Sequence, residues 1–346
     1  RFRISTNDDL GPTNCAEDGE VEDYLIQAVA RDYGDLPETY GTTSGNNGPS
    51  HIMNPNLILG ACVDAEVNGA PQAMAGMMEF GDDNTAGTTV FGTCAVTNDD
   101  ENGIIFESPL VPGTQACLRV TVINNTGAPV FLQGWIDFDG IGGFSTGEHL
   151  TTGSFAPGGV VIPVLGLSSA QLCFDVPIGA TFQGGAAFSR FRLSTTGGLT
   201  PNGAGGIGEV EDHKVPLAKI GTLVWTDYSN DGVQNEPLSS GINGTTVQLV
   251  WAGPDGEFTT VNDNRTFTAA TSTMGGNPGQ YMFLGLVSGM YKLSVPTPPL
   301  GSLPTVLNAA SDVIDADDPS GVMVVIQNLT SNFLPTTEKG MGDRPD

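Results

Sequence analysis

The sequence predicts an all-β protein built of tandem sandwiches, Ig-like or jelly-roll-like, and three observations carry that prediction. Apolar residues alternate with polar ones over four to eight residues, and the runs break at Gly, Pro, Asn or Asp. The 48 Gly and 23 Pro make up a fifth of the 346 residues, against about 12% in ordinary proteins. No stretch of ten or more residues holds a 3.6-residue apolar period.

The strands follow in order. Phe2 and Ile4 share one parity, with Arg1 and Arg3 on the other. Leu118, Val120 and Val122 alternate with Cys117, Arg119 and Thr121. Leu172, Phe174 and Val176 place Cys173 on the opposite face. The same period continues through Phe191 and Leu193, then Leu223 and Trp225, then Val247, Leu249 and Trp251.

An internal repeat stands out. Residues 1–23 align without a gap on residues 190–212, and 12 of the 23 positions are identical. Both copies read Arg-Phe-Arg-x-Ser-Thr, then Leu and Pro, then Gly-Glu-Val-Glu-Asp. The pattern predicts two strands joined by a loop, with Phe2 and Ile4 (Phe191 and Leu193) inward. Arg1, Arg3, Glu20 and Glu22 (Arg190, Arg192, Glu209 and Glu211) are expected to pair across the strands. The second copy closes a domain that opens near Arg31, whereas the first lacks a body before it and reads as the closing strands of a preceding unit.

Charge excludes several functions. Lys and Arg number 12 against 39 Asp and Glu, a net charge of −27, which repels nucleic acid and anionic membrane surfaces. At 39% hydrophobic residues the chain can still bury cores, unlike a disordered acidic tail. No apolar run of about 18 residues predicts membrane insertion. The first residues lack the apolar core of a signal peptide, so either a signal has been removed or the chain is a piece of something longer. Five cysteines without metal-type spacing suggest disulfides in an oxidising compartment. A Cys117–Cys173 bridge would staple two strands outside the core, and Cys62–Cys94 would form the second pair. Cys15 is then free or intermolecular.

The closing Gly-Glu-Val-Glu-Asp, the opening Asp32-Tyr33-Gly34-Asp35-Leu36-Pro37, the acidic Asp99-Asp100-Glu101-Asn102-Gly103 and Gly134-Trp135-Ile136-Asp137-Phe138-Asp139 together resemble the GEVED-type domain of secreted bacterial surface proteins, over about 31–218 with 1–30 as an orphan closing segment. From Lys219, the opening Ile220-Gly221-Thr222-Leu223-Val224-Trp225-Thr226-Asp227, the acidic loop after it and Gly279 to Leu293 resemble the B-type repeat of Sdr/Cna-like adhesins, over 219–346. The resemblance implies extracellular β-sandwich modules, the second a rigid, calcium-stabilised stalk unit.

Two loops have calcium-type spacing. The first offers Asp137 and Asp139 at positions 1 and 3, backbone carbonyls at Ile141 and Gly143, and Glu148 at 12, alternating oxygen ligands that suit a hard cation. The second offers Asp227, Ser229, Asp231, the carbonyl of Val233, and Glu236 two residues early. The family's placement of further acids implies a third set at Asp312, Asp315, Asp317 and Asp318. Enzymatic chemistry finds no support: His51, His149 and His213 are scattered, and His213 reads as a strand surface residue. The expected role is a structural subunit of an extracellular fibre or surface matrix that assembles with copies of itself, in part by strand addition through residues 1–30. An adhesin for a glycan or protein ligand and a spacer within a larger secreted enzyme are the rival readings.

Overall fold

The computed structural model describes residues 1–6, 11–23, 29–66, 68–69, 90–93 and 100–302, and as backbone alone 303–304, 322–326, 336–337 and 341–345. The chain divides into two units, residues 1–30 and residues 31–346. In the first, strands β1 (Phe2–Ile4) and β2 (Glu20–Glu22) pair antiparallel, with Phe2 opposite Glu22, Arg3 opposite Val21 and Ile4 opposite Glu20. Phe2 and Ile4 do not face inward as expected, because among the described residues of this unit the two-stranded ribbon has no second layer: they are 68% and 71% exposed.

The second unit begins with β3 (Arg31–Tyr33), β4 (Ser50–Ile52), β5 (Leu57–Leu59), β6 (Cys62–Asp64), β7 (Val90–Gly92) and β8 (Ile104–Phe106). Longer strands follow: β9 (Gln115–Asn124), β10 (Val130–Ile136), β11 (Val160–Ile162), β12 (Leu167–Asp175), β13 (Ala186–Ser194) and β14 (Ala204–Pro216). One sheet runs β11-β10-β13-β14-β4-β3, antiparallel except for the parallel β14–β4 pair. The facing sheet runs β12-β9-β5, with β8 also on β9. The alternating residues meet between them. Leu132, Phe191 and Leu193 from the first sheet pack with Leu118, Val120, Val122, Leu172 and Phe174 from the second, each burial favouring the fold by about 1.5–3 kcal/mol.

The second module holds β15 (Ala218–Ile220), β16 (Val224–Thr226), β17 (Thr246–Trp251), β18 (Arg265–Ala270), β19 (Ser272–Met274) and β20 (Asn277–Gln280). It ends with β21 (Phe283–Leu286), β22 (Gly289–Ser294), β23 (Ser302–Pro304), β24 (Val322–Ile326), β25 (Thr336–Thr337) and β26 (Met341–Pro345). Its sheets are β18-β17-β22-β24, β21-β15-β25, β16-β26-β23 and β19-β20. Val247, Leu249, Trp251, Phe283, Tyr291 and Leu293 form its core.

The two modules meet without a linker. Leu217 belongs to the first core and Ala218 to the second, and Val111 of the first module also packs into the second core. The Leu110 amide donates to the Gly285 carbonyl at 2.7 Å. Gly285 sits at φ +74°, and a Cβ there would lie 2.2 Å from the Leu110 carbonyl oxygen, so the approach requires glycine. The described residues contain four single-turn 3-10 helices and no α-helix, and no helix long and apolar enough to cross a membrane.

Candidate functional site

The repeated hairpin organises the polar chemistry of the first module. In the β13–β14 ladder Arg190 faces Asp212, Phe191 faces Glu211, Arg192 faces Val210 and Leu193 faces Glu209. Alternation then puts the arginines and Asp212 on one face, and Phe191, Leu193, Glu209, Glu211 and His213 on the other. The expected Arg–Glu pairing is therefore corrected: the partner on the arginine face is aspartate. Arg190 forks onto Asp212, Nε to Oδ1 and Nη2 to Oδ2 at 2.7 Å each, with both side chains fully buried. Its Nη1 donates to Asn202 Oδ1 at 2.7 Å and to the Pro201 carbonyl at 3.3 Å. Arg192 donates to the carbonyls of Thr200, Asn202 and Gly203, and its Nε donates to His51 Nε2 at 3.0 Å. Burial and the adjacent Arg192 hold the His51 imidazole well below its usual pKa, so it stays neutral and accepts that bond.

Residues 1–23 rebuild this framework. Arg1 forks onto Asp23 at 2.6 and 2.8 Å, Arg1 Nη1 reaches the Pro12 carbonyl at 2.6 Å, and Arg3 Nη1 reaches the Gly11 carbonyl at 2.5 Å. These acceptors stand at the repeat positions of Pro201 and Thr200. What differs is cover: Phe191, Leu193 and Val210 are at most 2% exposed, while Phe2, Ile4 and Val21 are at least 52% exposed.

The carboxylates of the second copy satisfy backbone amides of neighbouring elements. Glu209 accepts from the Leu59 amide and Glu211 from the Gly103 amide at 2.6 Å each. Glu101 accepts from the Asp212 amide at 2.7 Å, Asp32 from the Val210 amide, and Asp212 from the Asp35 and Leu36 amides at 2.8 and 3.0 Å. Burial, then neighbouring carboxylates, pushes Asp32, Glu101 and Glu209 well above the usual carboxylate range. Burial likewise pushes Asp100 up to about 8. Asp64, Glu66 and Asp100 converge within 4.8 Å of one another, and so do Glu101, Glu211 and His213. Neither grouping was anticipated from the sequence, although the strict parity of Glu209, Glu211 and His213 with Phe191 places all three toward the sandwich interior. His213 is not a strand surface residue: its side chain is 12% exposed, against the rings of Phe106 and Phe191 and 3.3 Å from Glu211 Oε2.

At the end of β10 the first predicted cation loop folds on itself. Asp137 is fully buried; its Oδ1 accepts from the Gly140 amide at 2.6 Å, and its Oδ2 from the Tyr40 hydroxyl at 2.6 Å and the Gly142 amide at 3.1 Å. Glu148 returns to accept from the Phe138 and Ser145 amides at 3.0 and 2.6 Å. Asp137, Asp139 and Glu148 thereby bring one oxygen each within 4.8 Å. Burial, with Asp137 and Asp139 nearby, raises the Glu148 pKa. The Ile141 side chain is exposed, its amide donates to Asp139 Oδ1 at 3.0 Å, and Gly143 takes a left-handed φ of +77°. An all-oxygen donor set of this kind fits a hard cation.

The second loop gathers round Asp227, which accepts from the Ser229 hydroxyl at 3.0 Å and the Asn230 and Gly232 amides at 2.6 and 2.8 Å. Asp231 accepts from the Val233 amide, and Ser229 donates from both amide and hydroxyl to Glu236 Oε1. Glu236 Oε2 is buried with no hydrogen-bond partner, a donor oxygen that suits a cation in the same oxygen-rich loop. Asp312, Asp315, Asp317 and Asp318 lie outside the described residues.

Cys117 and Cys173 face each other directly in the β9–β12 ladder and are bonded. Arg265 of the second module caps this bridge, donating to the Gln115 carbonyl at 2.6 Å and to Cys117 Sγ at 2.8 Å. Cys62 is buried, Cys94 lies outside the described residues, and Cys15 is free and exposed. Asn124 heads the Asn-x-Thr triplet Asn124-Asn125-Thr126, a glycan-acceptor pattern, but it is fully buried and donates to the Ala128 and Pro163 carbonyls, so it cannot carry a glycan.

The architecture defines two fused β-sandwich modules. The chain carries a GEVED domain, matched over residues 131–216, followed by an SdrD B-like domain, matched over residues 218–340. It is similar to serine-aspartate repeat-containing protein F of Staphylococcus epidermidis, 30% identical over 133 residues, which are 37% of this chain and 7% of that protein. Proteins E and D of Staphylococcus aureus are 31% and 28% identical over 137 and 163 residues, 38% and 43% of this chain and 10% and 11% of theirs. The matched segment is thus about a tenth or less of these relatives' length. Among solved structures, the group B streptococcus pilus 2b backbone protein is 11% identical, with a TM-score of 0.26 over 70% of this chain and 98% of that one.

Proposed function

We propose that the chain is a non-enzymatic structural segment of an extracellular surface protein or fibre, made of calcium-stiffened sandwiches and joined to its neighbours through residues 1–23. The observation that carries this reading is the hairpin pair. Both copies share register and Arg–Asp fork, yet only the second has its apolar face covered. An exposed apolar face with the geometry of an element that buries it elsewhere is a surface awaiting a second layer. In the proposed assembly a neighbouring unit covers the apolar face of residues 1–23, as the facing sheet covers that of residues 190–212 within its own sandwich. The calcium part is supported by the convergence of Asp137, Asp139 and Glu148 and by the unpartnered Glu236 oxygen.

Sedimentation and negative-stain imaging of the full chain, beside a chain starting at Arg31, test the assembly. The full chain is expected to form concentration-dependent oligomers in calcium and the shortened chain to remain monomeric; oligomers that survive the deletion refute strand addition. Calcium is tested by melting. Chelation is expected to lower the melting temperature by many degrees, and an unchanged melt removes the stiffening role.

A further inference from the structure

We propose that Glu101, Glu211 and His213 form a binding site for a zinc-class divalent transition metal inside the first sandwich, distinct from the two oxygen-only loops. One ligand atom of each residue lies within 4.8 Å of the others, the spacing at which a single ion can bridge all three. The donor chemistry selects the ion. Calcium takes six to eight oxygens, whereas an imidazole nitrogen with carboxylates suits zinc and its first-row neighbours.

The positions are fixed by backbone. Glu211 and His213 are two residues apart on β14 and share its inner face. Glu101 is drawn to them from a different segment by the Asp212 amide, which donates to its Oε2 at 2.7 Å. The rings of Phe106 and Phe191 close on His213, with centroids 6.4 and 6.0 Å away, which fixes the imidazole and keeps bulk water off the site. The arginines of β13 are no rival counter-ions, because both lie on the opposite face, Arg190 held by Asp212 and Arg192 by backbone carbonyls and His51.

A separate observation points to a missing ligand. Ser189 stands directly across the ladder from His213, and so on the same face. Its side chain is fully buried and its hydroxyl has no hydrogen-bond partner. Directly opposed side chains have Cβ atoms roughly 4.5–5.5 Å apart, so this hydroxyl opens beside the imidazole. A buried hydroxyl without a partner is costly, and a metal ion or its bound water supplies the partner.

The test uses the full chain freed of metal, with cobalt(II) as a spectroscopic stand-in for zinc and calcium present to fill the oxygen loops. One equivalent of cobalt is expected to give a visible ligand-field band that zinc displaces. His213→Gln is expected to abolish the band, and Glu101→Gln to weaken cobalt binding by at least about tenfold, while His149→Gln leaves it unchanged. A measurement on the unaltered chain runs in parallel: carbethoxylation of histidines mapped by mass spectrometry, in which zinc protects His213 and calcium does not. A band that persists in a folded His213→Gln chain, an unaltered chain that binds neither cobalt nor zinc, or His213 labelling indifferent to zinc overturns the proposal.

Discussion

Arg190 and Arg1 make the same fork to an aspartate in two different solvents, and the difference in burial sets what each is worth. Both members of the Arg190–Asp212 pair are fully buried. Arg190→Met strands Asp212 in the interior, and breaking a buried pair in this way costs about 3–5 kcal/mol; chemical denaturation is expected to show that loss. Arg1 and Asp23 are 44% and 58% exposed, and Arg1→Met is expected to leave the denaturation midpoint of the body unmoved. Asp32 gives a pH signature. Its pKa is raised in the folded state by burial and by Asp100, Asp35 and Asp212, so between the unfolded and folded values the native chain holds a proton the unfolded chain lacks. Stability in chelator is therefore expected to fall as pH rises from about 4 until the raised folded-state value is passed, with a slope of at most about 1.4 kcal/mol per pH unit for one proton. Asp32→Asn should flatten that slope, and an unaltered pH profile in the variant would contradict the assignment.

Strands were legible because parity is a local property: Leu118, Val120 and Val122 declare the inner face of β9 without knowledge of its neighbours. What lies across the sheet was less legible. Arg190 was within reach of glutamates by composition, and only the register, Arg190 opposite Asp212, decides that aspartate wins. The Glu101–Glu211–His213 grouping joins segments about 110 residues apart, which no window of sequence contains. The convergence of Asp137, Asp139 and Glu148 was readable, since the three fall within twelve residues, whereas the Tyr40 hydroxyl on Asp137 comes from 97 residues upstream. At this scale the Cys117–Cys173 bridge gives a further prediction. It closes a separation of 56 residues, worth about 4 kcal/mol in the chain-entropy description. Replacing both cysteines by alanine is expected to cost about 2–4 kcal/mol and to loosen the Arg265 contact, seen as faster amide exchange at Gln115 and Arg265; equal exchange in both chains would refute that coupling.

Across the whole body, the two modules share packing rather than a tether. Val111 stands in the core of the second module, and Leu217 and Ala218 enter different cores as neighbours in sequence. Val111→Ala is expected to destabilise by about 1–3 kcal/mol, and the loss should register in the second module although the residue belongs to the first. Calorimetry of residues 31–346 is expected to show one shared transition. Two well-separated transitions, with only the first moved by the substitution, would contradict that coupling.

The missing linker has a mechanical meaning. β14 runs to Pro216 and β15 starts at Ala218, so a pull along the chain passes from one sheet to the next through a single residue. There is no slack to be drawn out first. β14 is held along nine register pairs by β13, so its ladder bonds must yield together in shear rather than one by one as in unzipping. A string of such bodies would carry tension as a stiff rod with little give until a whole strand lets go.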